Sequence, residues 1–588
     1  MPALPPSSAS PVHLAQVEAA AGLVIDGFAD YDGRFGDLTR RAARHFARRD
    51  WQGARRDAVE RIELYDVLVR ETLARLDRRL DDRLRARGLW RAVRSLVARR
   101  SAAMADRALL HTFHNSLVRR SLGSRGVDAS LAFLAGADAA GPVPRPDLLH
   151  LDGGPDAAGL FDRLLDALAP AVPWQDRGRC LRAAADLLPA RLAGWGGDAP
   201  VGAQFLATPL YRDRRAYLVG RLWGTRHAGP VVLALANEPA GMRLDALLTA
   251  LPDIATLFGA TRSYFQADLA PVAGAVRFLA ELMPGKPVDE LYTVLGRARQ
   301  GKTERWRALD AWLRRCPQAR FRHAEGERGM VMAVFVAGDY PLVVKVIRDR
   351  FAPPKDSTPE QVRARYRMVL HHERAGRLLD AQVFRDLRLP LARFEPALRD
   401  ELLQQCAAVA RVDGEDLVLS HCYLQRRLRP LDRLLREAPP AQARAALLDW
   451  GQAVTDLARA GLFPGDLLTK NFGVTAGGRV VFYDYDELCP LAQCRFRAMP
   501  AARHDDEDLH DGPWFHVGPD DVFPEQFPTF LGVPAPLRDA LAARHGHLFD
   551  PAWWRAQQAA QAAGDSDGVA PYPEACRLPA AVAATTVG

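Results

Sequence analysis

Asp466 and Asn471 stand five positions apart in the run Phe463-Pro464-Gly465-Asp466-Leu467-Leu468-Thr469-Lys470-Asn471, the D-L-x-x-x-N spacing of a phosphoryl-transfer catalytic loop. After a short hairpin-like stretch, the run Val480-Val481-Phe482-Tyr483-Asp484-Tyr485-Asp486 puts an aspartate where a kinase keeps its second metal ligand. Such chemistry needs a carboxylate that orients the attacking hydroxyl and takes its proton. It also needs a divalent cation, held by an Asn and an Asp, to offset charge on the moving phosphoryl group. The roles that follow are Asp466 as catalytic carboxylate, Asn471 and Asp484 as ligands of Mg²⁺ (Mn²⁺ being the alternative), and Lys470 as a cation beside the transferred group. The pattern also departs from an ordinary protein kinase. Pro464-Gly465 replaces the usual His-Arg, and D-F-G becomes Asp484-Tyr485-Asp486. The additional carboxylate, Asp486, offers a further metal ligand or an alternative base, which suits a site asked to run more than one reaction.

Two upstream features complete the constellation. Only five of the 79 basic residues are lysines, namely Lys286, Lys302, Lys345, Lys355 and Lys470. Where arginine serves almost everywhere, a lysine among β-branched residues marks a place that needs a compact ammonium rather than a planar fork. Lys345, in Leu342-Val343-Val344-Lys345-Val346-Ile347, resembles the strand lysine that pairs with the α- and β-phosphates of ATP. Before it, Ala324-Glu325-Gly326-Glu327-Arg328-Gly329-Met330-Val331 has the spacing of a phosphate-covering G-x-G-x-x-G-x-V loop, with Ala324 in place of the first glycine. Alone such a loop is more often a structural turn. The helix expected to follow offers Glu373 as an ion-pair partner for Lys345, with His371 and His372 beside it.

The elements that must position these groups are legible as pattern. Residues 330–335 and 342–347 read as strands joined by the turn Ala337-Gly338-Asp339-Tyr340-Pro341. A helix over 359–379, a strand over 417–423, a helix over 441–460 and a hairpin over 472–483 follow, which is the order of parts in a bilobal kinase. From about 14 to 315 apolar residues recur at helical spacing, as in 58–80 and 89–117, with Gly/Pro-rich breaks at 136–155 and 194–202 and one strand-like portion at 216–235. The expected fold is therefore α+β: a helical N-terminal regulatory domain over 1–317 and a bilobal protein-kinase-like catalytic domain over 318–588 with a Pro/aromatic extension. The last stretch, 570–588, is weakly patterned and is expected to be disordered.

Composition bounds the rest. A chain of 588 residues exceeds one compact domain. No apolar run approaches the roughly 20 residues of a membrane span, and no secretory signal opens the chain, so a cytoplasmic protein with no membrane partner is expected. A net charge of +8 raises the question of nucleic acid. The arginines are interleaved with apolar residues at helical spacing, as on solvated helix faces, and no nucleic-acid partner is expected. Seven cysteines form no disulfide framework in a chain this long. Cys489 and Cys494 are the closest pair, do not have zinc-knuckle spacing, and read as buried or free thiols.

Gly329-Met330-Val331-Met332, Lys345-Val346-Ile347-Arg348-Asp349-Arg350-Phe351-Ala352-Pro353-Pro354-Lys355-Asp356, Lys470-Asn471-Phe472-Gly473-Val474 and Tyr483-Asp484-Tyr485-Asp486-Glu487 closely resemble the isocitrate dehydrogenase kinase/phosphatase family. So do Phe463-Pro464-Gly465-Asp466, Pro513-Trp514-Phe515 and Asp521-Val522-Phe523-Pro524-Glu525. The resemblance implies an ATP- and Mg²⁺-dependent kinase domain, AMP as allosteric effector, and isocitrate dehydrogenase as protein substrate. A serine of that enzyme would be phosphorylated and dephosphorylated, which sets flux between the citric acid cycle and the glyoxylate bypass. It maps the nucleotide loop to Ala324, Glu325, Gly326, Glu327, Arg328, Gly329 and Met330, the ATP lysine to Lys345, and an active-site aspartate to Asp380, expected in the helix after the strands. Glu325 stands where the family has proline. The rival readings are a small-molecule kinase of the aminoglycoside or choline type and a nucleotide-binding pseudokinase scaffold. The helical first half exceeds what the former needs, and the latter would lack one of Lys345, Asp466, Asn471 and Asp484. The sequence leaves a homodimer open.

Overall fold

The computed structural model describes residues 11–123, 128–134, 144–153, 156–259, 261, 264–353, 355–372, 376–500, 515–564 and 569–579, with backbone alone at 11–13 and 370–372. The chain divides into two compact units. The first comprises 1–258, 264–315 and 573–588, and the second 259–263 and 316–572. No helix among the described residues is long and apolar enough to cross a membrane.

The first unit begins with two long helices, Pro11–Arg48 and Trp51–Leu80. The Asp50 side chain caps the second by accepting from the Gly53 amide, satisfying an amide that has no partner within the helix. With Arg87–Arg100 and Arg107–Leu122 they bury Phe28, Tyr31, Phe35, Tyr65 and Phe113, whose rings pack edge-on and tilted. The helical expectation holds for this region, except that 89–117 is divided between two helices by the turn at 101–106.

The single strand-like portion expected at 216–235 is, however, part of a six-stranded antiparallel sheet. Its path runs Leu148–Asp152, Gly202–Leu206, Arg215–Trp223, Ala228–Glu238, Gly241–Leu248, with Leu210–Arg212 paired on Arg215–Trp223. Alternation is absent because both faces are covered, so the central strands read as continuous apolar runs. Asp245, a charged residue inside the last strand, is fully buried and bonded to Arg215 at 2.8 Å, Arg243 at 2.7 Å and Arg577 at 3.1 Å. Those contacts also correct the expectation for the tail. Residues 573–579 belong to the first unit rather than to the catalytic domain. Leu578 is buried in the sheet's core, and its amide donates to the Asp245 carbonyl at 2.9 Å. Residues 580–588 lie outside the described residues.

The second unit contains a five-stranded antiparallel sheet in the order Ala381–Phe384, Cys422–Arg426, Leu342–Ile347, Met332–Ala337, Phe321–His323. The β-branched run at 342–347 suits a central strand covered on both faces. Register aligns Val334, Lys345 and Tyr423 in one row, and alternation puts Val343 and Gln425 on that same face. Tyr366, on the helix Pro359–His372, packs against Tyr423 at a ring separation of 4.2 Å, so this face looks inward. Phe321, Phe335 and Phe394 cluster elsewhere on the sheet. Below it, the helices Pro440–Arg459, Ala535–His545 and Pro551–Ala563 enclose Trp450 and Trp554. The hairpin Phe472–Val474 and Val480–Phe482 lies against them.

The helix expected over 359–379 ends at His372. Gly376 has φ of +63°, and the chain then runs extended, with the Phe482 amide donating to the Arg377 carbonyl at 2.7 Å and the Leu379 amide to the Phe482 carbonyl at 3.0 Å. The Arg377 side chain, almost fully buried, binds Asp456 at 2.7 Å and Asp449 at 2.8 Å. Removing the guanidinium in Arg377→Met leaves two carboxylates without their cation. The expected loss is about 3–5 kcal/mol of this unit's stability, read as a lower urea midpoint in the catalytic unit's unfolding transition.

Candidate active site

The catalytic loop enters through the strand Leu462–Phe463 and turns at Gly465, whose φ is +81°. A Cβ there would lie 2.6 Å from the Glu487 carbonyl oxygen, so only glycine lets this turn close against the 484–487 segment. Asp466 accepts from the Leu468 amide at 3.2 Å, and the Asn471 side-chain amide donates to the Asp466 carbonyl at 3.3 Å. Asn471 then opens the hairpin, and its carbonyl accepts from the Tyr483 amide at 3.1 Å. Hairpin pairing thus delivers Asp484 and Asp486 to the loop that carries Asp466 and Asn471.

Lys345 reaches the same place from the sheet. Its ammonium, almost fully buried, donates to the Tyr483 carbonyl at 2.8 Å and lies 5.0 Å from the Tyr483 ring centroid. Burial lowers its affinity for a proton, against the opposing fields of Asp484 and Asp486. Asp484 is pushed up to about 6, first by burial and then by the neighbouring Asp486. Burial likewise raises Asp466 above the ordinary carboxylate range. Glu373, the expected partner of Lys345, lies outside the described residues.

Asp380 is not on a helix. It follows the extended segment 377–379, whose Leu378 forms a parallel bridge with Phe482, so Asp380 and Asp484 each lie two residues beyond paired positions. The Tyr485 hydroxyl donates to the Leu379 carbonyl and ties the two segments together. The tertiary pairing with Phe482 overrides the helical pattern, and it is this pairing that brings a buried carboxylate beside the site.

The loop 324–330 spans the gap between Phe321–His323 and Met332–Ala337, with the Ala324 amide donating to the Val334 carbonyl at 2.9 Å and Gly326 at φ +111°. Glu325 is paired with Arg433 at 2.7 Å and Arg427 at 3.2 Å. Glu327 meets the Lys470 ammonium at 3.1 Å, and the Tyr483 hydroxyl donates to the Lys470 carbonyl at 2.5 Å. Arg328 lies 3.8 Å from Glu401, the Gly329 carbonyl accepts from Arg348 at 3.4 Å, and Met330 is exposed. The structure therefore brings together Lys345, Asp466, Lys470, Asn471, Asp484 and Asp486, with Glu327 of the loop paired with Lys470, and sets Asp380 two residues beyond the Leu378–Phe482 bridge.

Three further residues belong to this arrangement. Lys355 pairs with Asp486 at 3.5 Å and also with Glu487, so Asp486 has a cation of its own. The sequence pattern singled out only Lys345 and Lys470 among the five lysines, and the same scarcity could have marked Lys355. Arg365 donates to the Asp486 carbonyl. Gln425 lies on the Lys345 face and is fully buried, and its amide has no hydrogen-bond partner among the described residues. A lone amide in the apolar strand Cys422–Arg426 was its only trace in the sequence.

Among the described residues there is no cluster of three or more His, Cys, Asp or Glu suited to a metal. Mg²⁺ does not need one, since it is held by one or two protein ligands and completes its shell with water and phosphate oxygens. The hard-oxygen pair Asn471 and Asp484 fits that habit. Burial first, and then the neighbouring Asp486, disfavour the charge of Asp484, a penalty that a bound cation would offset.

Residues 319–574 match the family model described as the isocitrate dehydrogenase kinase/phosphatase (AceK) kinase domain, and residues 21–316 match its regulatory domain. The chain is 47% identical over 582 residues to the isocitrate dehydrogenase kinase/phosphatase of Xanthomonas euvesicatoria pv. vesicatoria, covering 98% of this chain and 99% of that protein. It is 42% identical over 579 residues to the protein of the same name from Anaeromyxobacter dehalogenans, covering 96% and 98%.

Proposed function

Because this chain belongs to the isocitrate dehydrogenase kinase/phosphatase family, we propose that it transfers the γ-phosphoryl group of ATP to a serine of isocitrate dehydrogenase and removes it again at one site. The observation that carries the reading is the convergence of Lys345, Asp466, Asn471 and Asp484 through the Asn471–Tyr483 pairing. Asp466 orients the serine hydroxyl and takes its proton. Its raised proton affinity makes it a better base than an exposed aspartate. Lys345 holds the α- and β-phosphates, and the backbone of 324–330 covers them. Lys470 exchanges Glu327 for the anionic group being transferred. Asn471 and Asp484 hold Mg²⁺, which when bound neutralises charge on the β- and γ-phosphates.

The reverse reaction uses the same groups, with Asp380 or Asp486 positioning water. The protein works in the cytoplasm, where it sets flux between the citric acid cycle and the glyoxylate bypass. AMP acts by binding unequally to two conformations of the enzyme. The small-molecule-kinase and pseudokinase alternatives are not favoured by the family membership.

Two measurements test this. Pure protein with labelled ATP, Mg²⁺ and isocitrate dehydrogenase is expected to label the dehydrogenase, and label found only on a small amine or alcohol would sink the reading. Phosphate release from the phosphorylated dehydrogenase is expected to require ADP and Mg²⁺. Asp380→Asn is expected to slow that release more than it slows labelling. Brisk release without nucleotide would point to a second site.

A further inference from the structure

Cys489 and Cys494 close a six-residue loop in which their sulfurs lie 3.6 Å apart, and all seven cysteines of the chain are free. The one-turn helix Leu491–Gln493 between them folds the chain back, with the Cys494 amide donating to the Leu491 carbonyl at 3.2 Å. A disulfide has a length of about 2.05 Å, so a further approach of roughly 1.5 Å would join them. Their place in the fold gives that step a consequence. Cys489 pairs in register with Phe463, and its thiol lies 3.8 Å from the Phe463 carbonyl. Phe463 leads into the turn that ends at Asp466, and Cys489 follows Asp486 and Glu487, against which Gly465 is packed without room for a Cβ. Both carboxylate-bearing segments of the active site are thus anchored on the strand pair that holds this dithiol.

We propose that Cys489 and Cys494 are a peroxide-reactive dithiol whose oxidation to a disulfide reversibly lowers activity at the adjacent site. The hydrogen bond from Cys494 favours the thiolate of Cys489, with help from Arg365, while the same contact keeps the proton on Cys494. Cys489 is then the nucleophile and Cys494 the resolving thiol. The Cys489 sulfur attacks one oxygen of hydrogen peroxide. The S–O bond forms, the O–O bond breaks, and the departing hydroxide leaves as water after taking a proton. The Cys494 sulfur next attacks the Cys489 sulfur. The S–S bond forms, the S–O bond breaks, and the second hydroxide leaves as water with the Cys494 proton. Two thiols lose two electrons to one peroxide and two waters result. Transient disulfides of this kind are the sort found in reducing compartments.

The activity arm rests on the kinase reading above, whereas the chemical arm does not. Full-length protein is treated with hydrogen peroxide, its free thiols are alkylated, and it is digested with trypsin. Both cysteines fall in the tryptic peptide 480–495. The expected result is loss of both alkyl groups from that peptide, with dehydrogenase labelling lowered roughly tenfold or more and restored by dithiothreitol. Cys494→Ser is expected to match untreated wild type before oxidation and to trap a dimedone-reactive sulfenic acid at Cys489 after it. Full alkylation of both cysteines in peroxide-treated wild type would overturn the dithiol assignment. A disulfide with unchanged labelling would overturn its coupling to the site. Equal, dithiothreitol-reversible inactivation of Cys489→Ser, which lacks the nucleophile, would move the sensitivity to another cysteine and overturn both.

Discussion

Asp484→Ala is expected to lower dehydrogenase labelling by about 10³-fold or more while leaving the fold intact. On the proposed reading Asp484 would hold the divalent cation, and loss of such a ligand costs several kcal/mol of transition-state stabilisation. The fold should tolerate the change because Asp484 is buried beside Asp486, and burial and that neighbour already disfavour its charge. On the proposal that both directions use one cation site, the phosphatase reaction should fall with it. The same residue predicts a pH dependence. Asp484 must be ionised to bind the cation, and in the free protein it takes up a proton as pH falls through about 6. Protons therefore compete with Mg²⁺ below that pH, and the apparent Mg²⁺ affinity should weaken by about tenfold per pH unit there. Steady-state labelling over a Mg²⁺ series between pH 5 and 8 checks it, and a pH-independent Mg²⁺ requirement would remove Asp484 from the role.

Lys345→Arg is expected to be nearly as damaging as Lys345→Met, with kcat/KM for ATP lowered by about 10²-fold in both. The ammonium occupies a buried position between the Tyr483 carbonyl at 2.8 Å and the Tyr483 ring. A guanidinium is wider, planar and rigid, so it cannot keep that place without displacing Tyr483, whose backbone sets the position of Asp484. ATP binding and turnover of the two variants separate this from a lysine kept only for its charge, which would tolerate arginine.

Much of the catalytic half was legible because its parts are local. The turn from Pro464 to Asn471, the hairpin behind it and the strand bearing Lys345 depend on residues within a few positions of one another, and their spacing carries the chemistry. The family strings added the identity of Asp380 but not its setting. Nothing in 359–379 announces that the chain has left the helix by Gly376 and runs extended to Leu379, because apolar periodicity records which positions are buried and not what buries them. The answer lay in Phe482, whose backbone pairs with Arg377 and Leu379, and in Asp449 and Asp456, which hold the Arg377 side chain.

The first half shows the same limit from the other side. Its long helices follow from period alone, while its sheet was hidden in strands buried on both faces and in a buried Asp245 held by Arg243 of its own strand and by the distant Arg215 and Arg577. The sequence by itself determined the reactive groups and their order, since catalytic spacing is a property of short segments. Only the tertiary structure decided that Asp380 follows a segment bridged to Phe482, two residues short of Asp484, and that Lys355 pairs with Asp486. Those pairings depend on hydrogen bonds and burial between segments far apart in the chain, whose free energy no local pattern carries.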